Sequence, residues 1–88
     1  MVEYNKEIVN RLKRIEGQVR GSIRLLEEQE ECKSVVTQLS AIRSAVDRTI
    51  ALIVSKNLEQ CLISDLQEGR ETSQAVNDAV ELLVKSRK

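Results

Sequence analysis

The sequence contains no proline, no histidine, no tryptophan and no phenylalanine. With no proline, and with glycine only at positions 17, 21 and 69, little along the chain can break a helix, so long helices are expected. With no histidine, the side chain best suited to proton transfer near neutral pH is missing. No acid pair sits in a pocket motif and no glycine-rich phosphate loop occurs, so an enzyme is not expected, nor is a bound cofactor. Tyr4 is the one aromatic residue, which leaves Ile, Leu, Val and Ala to build the core. In 88 residues such a core is thin, and association with further copies is the expected remedy. No apolar run approaches the roughly 18 residues that would suggest a bilayer span. The opening segment MVEYNKEIVN carries acids and lacks the apolar stretch of a secretory signal. The expected location is therefore the cytoplasm, with no membrane partner, where thiols are normally kept reduced. The two cysteines, Cys32 and Cys61, match neither a disulfide framework nor a zinc pattern.

Charge is balanced overall, with 14 basic and 14 acidic residues. Its distribution is uneven. Lys6, Arg11, Lys13, Arg14, Arg20 and Arg24 make the first part of the chain basic against Glu3, Glu7 and Glu16. Glu27, Glu28, Glu30 and Glu31 then form an acidic corner, offset only by Lys33. A neutral total argues against non-specific nucleic-acid binding, but a local basic surface repeated by symmetry can hold DNA.

Apolar periodicity predicts an all-α protomer of three helices in a single domain spanning residues 1–88. Ile8, Leu12, Ile15, Val19, Ile23 and Leu26 form one helical stripe, so α1 is expected from about residue 4 to about 28, with Asn5 near its start. Gly17 and Gly21 fall inside it, each costing about 1 kcal/mol against alanine. Close approach of another helix and close approach to DNA both explain them. Gln29 to Cys32 forms the first turn region. Residues 32–66 contain neither Gly nor Pro and keep helical spacing, which predicts an unusually long α2. This helix is apolar on more than one side, so α1 should cover one side and another subunit the other. A polar connection containing Gly69 precedes α3, whose cap is Thr72 or Ser73 and whose end carries Lys85, Arg87 and Lys88.

Cys32 and Cys61 are both on α2. At about 100° per residue they share one face, and at about 1.5 Å per residue they lie about 43 Å apart along the axis. They cannot meet within one chain. An antiparallel pair of α2 helices centred between Val46 and Asp47 would set Cys32 of one chain beside Cys61 of the other, twice, along a seam of Val36, Leu39, Val46, Ile50 and Ile53. Arg43 falls near that seam. On spacing alone, a reactive interchain dithiol and a pair of inert, buried small side chains remain equally open. Cys32 is taken as the attacking thiol because it sits near a helix end.

The run Arg11-Leu12-Lys13-Arg14-Ile15-Glu16-Gly17-Gln18-Val19-Arg20-Gly21 resembles the opening motif of the CsoR/RcnR repressors. Cys32 followed by Val36-Thr37-Gln38-Leu39-Ser40-Ala41 is similar to the start of their second helix. The resemblance covers nearly the whole chain. It implies an antiparallel dimer assembling to a dimer-of-dimers tetramer, and operator DNA bound without a helix-turn-helix. In copper sensors of the family, Cu(I) is held between chains by two Cys and a His. Here the corresponding positions are Cys32, Cys61 and Asn57, so the histidine is replaced. Glu31 and Asn77 stand where copper sensors carry an aromatic and an acidic residue.

A dithiol lacking that histidine is similar to the persulfide-sensing branch, the CsoR-like sulfurtransferase repressors. That resemblance implies a repressor with Cys32 and Cys61 as redox-sensing residues and no metal ligand. Hydropolysulfide or low-molecular-weight persulfides are the implied inducers, and di- to tetrasulfide crosslinks between chains the implied response. Genes for sulfide detoxification would then be derepressed. A metal-responsive repressor of the same family and a structural helical oligomer with inert cysteines are the alternatives. For DNA, the resemblance points to Arg11 and Arg48, with Lys13, Arg14 and Lys33 as neighbours on the same basic surface. Gln18 either joins them or completes a helix surface. Arg48 lies roughly opposite the cysteine face of α2.

Overall fold

The computed structural model describes residues 6–86. Tyr4 and Asn5, expected at the start of α1, and Arg87 and Lys88, expected at the end of α3, lie outside the described residues. The chain forms α1 (Lys6–Glu27), α2 (Cys32–Gln67) and α3 (Ser73–Lys85), with no strand among the described residues. This is the three-helix, all-α arrangement expected from periodicity. The 36-residue α2 runs without interruption, as the lack of Gly and Pro from 32 to 66 requires.

Both connections use the same backbone device. After α1, the Gln29 and Glu30 amides donate to the Leu26 and Leu25 carbonyls at 3.1 and 3.0 Å, with Gln29 at φ 56°. After α2, the Gly69 and Arg70 amides donate to the Leu66 and Asp65 carbonyls at 3.3 and 2.7 Å, with Gly69 at φ 70°. Each left-handed residue lets the chain fold back and satisfy carbonyls that the helix end leaves free. Glycine suits this conformation; Gln29 adopts it against a steric cost. Arg70 ties the second turn further. Its guanidinium donates to Asp65 Oδ1 at 3.1 Å and Ser64 Oγ at 3.2 Å, and pairs with Glu68.

The cap of α3 differs from expectation. Thr72 occupies the cap position, but its side chain makes no capping bond, because its backbone is already near-helical at φ −96° and ψ −7°. The Ser73 hydroxyl instead donates to Glu71 Oε1 at 3.0 Å.

The chain divides into two units, one reaching to Thr49 and the other beginning at Ile50, with α2 contributing to both. In the first, α1 lies along the early part of α2. The Gln38 Nε2 amide donates to the Gln18 carbonyl at 3.4 Å, and Ile8, Ser22 and Val35 are buried. The Ser22 hydroxyl is satisfied by the same Gln18 carbonyl, at 3.1 Å. In the second, Val54 and Ala79 are buried.

The protomer core is as thin as the composition implied: among the described residues, no large side chain is fully buried. Of the α1 stripe, Ile8 is buried and Ile15 half-buried, while Leu12, Val19, Ile23 and Leu26 remain exposed. Much of that face is therefore left uncovered. The glycine readings also narrow. A Cβ at Gly17 would meet nothing within 4 Å, and one at Gly21 would make only an ordinary 3.8 Å contact with Gln38 Nε2. Close helix packing within the protomer therefore does not require either glycine.

Candidate functional site

Arg11, Arg14, Ile15 and Gln18 recur on α1 at i, i+3, i+4 and i+7. Ala41, Ser44, Ala45 and Arg48 repeat that pattern on α2. Residues so spaced share one face of a helix. The first unit brings the two stripes together as the walls of an open groove of about 450 Å³, which Thr49 also lines. The small side chains of Ala41, Ser44 and Ala45 leave the space, and the three arginines supply its charge. Among the described residues, no acidic one lines it.

Four residues singled out in the sequence therefore meet in one place: Arg11, Arg14, Gln18 and Arg48. Lys13 and Lys33 do not line the groove. Lys13 is two positions from Arg11, about 200° around α1, and so faces elsewhere. Ser44 and Thr49 were not foreseen. The signal that could have found Ser44 is the matching i, i+3, i+4, i+7 stripe. Thr49 is buried, and its hydroxyl donates to the Ala45 carbonyl at 2.8 Å.

The arginines differ in their partners. Arg11 makes a 3.5 Å contact with Glu7 one turn earlier, while its Nε is buried without a hydrogen-bond partner. Arg14 and Arg48 are exposed and form no ion pair among the described residues. Two guanidinium groups thus keep their full donor capacity beside the groove.

Both cysteines are free thiols. Cys32, in the first unit, is the first residue of α2 and is exposed. The Glu31 carbonyl before it accepts from the Ser34 and Val35 amides at 2.9 and 3.2 Å, which fixes the helix start. Cys61, in the second unit, lies within α2 and is half-buried. Asn57, one turn earlier on the same helix, is also half-buried. Among the described residues, no group of three or more His, Cys, Asp or Glu side chains could hold a metal ion.

The profile of the metal-sensitive transcriptional repressor family matches residues 4–85. The chain belongs to this family. It is a transcriptional repressor rather than an enzyme. The Bacillus subtilis (strain 168) protein YrkD is 51% identical over 63 residues, covering 72% of this chain and all of YrkD. The copper-sensing transcriptional repressor RicR of Mycobacterium tuberculosis (strain ATCC 25618 / H37Rv) is 45% identical over 60 residues, covering 67% of this chain and 62% of RicR. Among solved structures, the copper-sensing repressor CsoR with Cu(I) from Geobacillus thermodenitrificans NG80-2 superposes with a TM-score of 0.80 at 29% identity. The match covers 100% of this chain and 95% of CsoR. The nickel-responsive transcriptional regulator InrS superposes with a TM-score of 0.79 at 33% identity, covering 97% and 94%. RicR, CsoR and InrS are named for copper or nickel, and none of these relatives is named for persulfide. No helix among the described residues is long and apolar enough to cross a membrane.

The donor set of this chain does not fit a metal site that needs histidine. There is none in the sequence, and Asn57 stands where the resemblance places it. The thiols of Cys32 and Cys61 are the soft donors that remain.

Proposed function

We propose that this repressor binds operator DNA through the α1–α2 groove and is released from it by chemistry at Cys32 and Cys61. The convergence of Arg11, Arg14, Gln18 and Arg48 on one acid-free groove carries the DNA part. Guanidinium groups free of ion pairs are suited to bidentate contact with phosphate. Lys13 and Lys33 add charge outside the groove, where they act through long-range attraction.

The sensing part rests on the two thiols. In an antiparallel α2 pair, Cys32 stands beside the partner subunit's Cys61. Val36, Leu39 and Val46 of that seam are exposed, and Ile50 and Ile53 half-buried, so they remain available to a second copy. One thiol takes a sulfane sulfur from a hydropolysulfide or low-molecular-weight persulfide, and the donor leaves as hydrosulfide or thiol. The second thiol attacks the persulfide, expels hydrosulfide and closes a disulfide. Longer donors leave a tri- or tetrasulfide. The chemistry is thiol–disulfide exchange between chains. The dimer pairs into a tetramer, the protein acts in the cytoplasm, and residues 1–88 work as one domain.

A metal ion is the second reading of the signal. The copper and nickel relatives support it directly, more than they support persulfide. The missing histidine and Asn57 favour sulfur. Operator binding by the reduced protein, followed during separate titrations with hydropolysulfide, Cu(I) and Ni(II), separates the two. Release by polysulfide with interchain sulfur bridges is the expected result. Release by a stoichiometric metal ion, with polysulfide inert, makes the protein a metal sensor.

A further inference from the structure

We propose that the α1–α2 groove is also a seat for a free multivalent oxyanion of the phosphate class, which competes there with operator DNA. The inference rests on the DNA reading of the same groove and adds a ligand and a mode of regulation. A DNA-binding surface is often a flat, charged face. This one is concave, and its volume of about 450 Å³ falls within the roughly 300–1,000 Å³ of small-molecule sites. Three guanidinium groups line it, with no carboxylate among the described lining residues. Arg14 and Arg48 have no ion-pair partner among the described residues, and the Arg11 Nε is buried with no acceptor. Glu7 takes up only the outer end of Arg11, at 3.5 Å. A buried guanidinium donor without an acceptor calls for an anion, and a planar fork binds phosphate oxygens in pairs. The small or apolar Ile15, Ala41 and Ala45 keep the space open, and Gln18 and Ser44 add neutral polar groups beside the guanidiniums. Among the described residues the groove holds no aromatic face on which a base could stack, so recognition falls to the oxyanion groups.

Pyrophosphate is the probe. It is titrated into the full-length, reduced, DNA-free protein in magnesium-free buffer, with ionic strength held constant by chloride, and followed by calorimetry and amide chemical shifts. Saturable binding of one pyrophosphate per chain is expected, with shifts confined to residues 11–18 and 41–49. Arg14→Ala and Arg48→Ala should each weaken it at least tenfold, and Lys13→Ala much less. Arg48→Gln serves if an alanine variant loses helicity. At constant ionic strength, pyrophosphate should right-shift the operator isotherm by the amount its own affinity dictates. Binding that never saturates, or that ignores Arg14 and Arg48, overturns the proposal. Where the arginine variants lose operator DNA and pyrophosphate still does not bind, the seat is wrong and the DNA reading stands. Where pyrophosphate binds and operator affinity does not move, the competition and the DNA assignment of the groove both fall.

Discussion

Three residues hold positions that decide chemistry or cost. Gln29 is a non-glycine residue in the left-handed conformation that closes α1. Gln29→Gly should raise stability by about 1 kcal/mol, read as a higher urea midpoint at unchanged slope and fixed protein concentration. Asn57 lies on the cysteine-bearing helix one turn before Cys61, and the resemblance sets it where copper sensors carry histidine. Asn57→His adds the missing third donor. The variant should bind Cu(I) far more tightly than the parent, in competition with a chromogenic chelator, and should gain release of operator DNA by Cu(I). A parent protein that already matches the variant would remove Asn57 from the argument. Gly17 has open space around its Cα in the protomer. Gly17→Ala should therefore stabilise α1 by about 1 kcal/mol. If operator affinity falls at the same time, the glycine serves close approach to DNA.

At the scale of elements, the face pattern of α1 and α2 carries the account. The four groove positions on each helix repeat at i, i+3, i+4 and i+7, so substitutions there act as a set. Arg11→Ala and Arg48→Ala should each reduce operator affinity on the order of tenfold or more and lower the slope of log K against log salt by about one, with helicity unchanged. Lys13→Ala and Lys33→Ala should cost less, because neither side chain lines the groove. An assay in which all four variants behave alike would show that the groove has no special standing on this surface. The elements themselves were readable in the sequence because the chain has no proline and glycine at only three positions. The ends of α2 followed from the acidic turn before Cys32 and the polar stretch around Gly69. Other details were not readable. Whether Thr72 caps α3 with its side chain depends on its own backbone angles. The groove depends on Ala41 and Ala45 being small at the contact with α1, and small apolar residues on a long helix look like ordinary core. That Gln29 would close a helix was hidden because glycine usually takes that position.

At the scale of the whole molecule, the protomer is incomplete by its own surface. Leu12, Ile23 and Leu26 on α1, Val36 and Leu39 on α2, and Val80 and Val84 on α3 are all exposed. So many exposed large apolar side chains on a small protein mark surfaces that associate. Composition foretold this, since a core without Phe or Trp in 88 residues has little to bury. The family could be read from the sequence because its motif residues are local in the chain: Arg11 to Gly21 and Cys32 to Ala41. The signal could not be read with equal clarity. Relatives named for copper and nickel pull one way, and the absence of histidine from the sequence pulls the other. The central claim is that Cys32 and Cys61 act as one site made between chains. Its most direct test uses Cys32→Ser and Cys61→Ser proteins, reduced, unfolded together and refolded as an equal mixture. After treatment with hydropolysulfide, non-reducing intact-mass analysis is run beside operator binding. One sulfur-bridged heterodimer, carrying one copy of each variant, is expected, together with loss of operator binding. Each variant alone should form no Cys32–Cys61 bridge and should keep its DNA. Release of DNA by either variant alone, or a mixed sample that stays uncrosslinked, would contradict it.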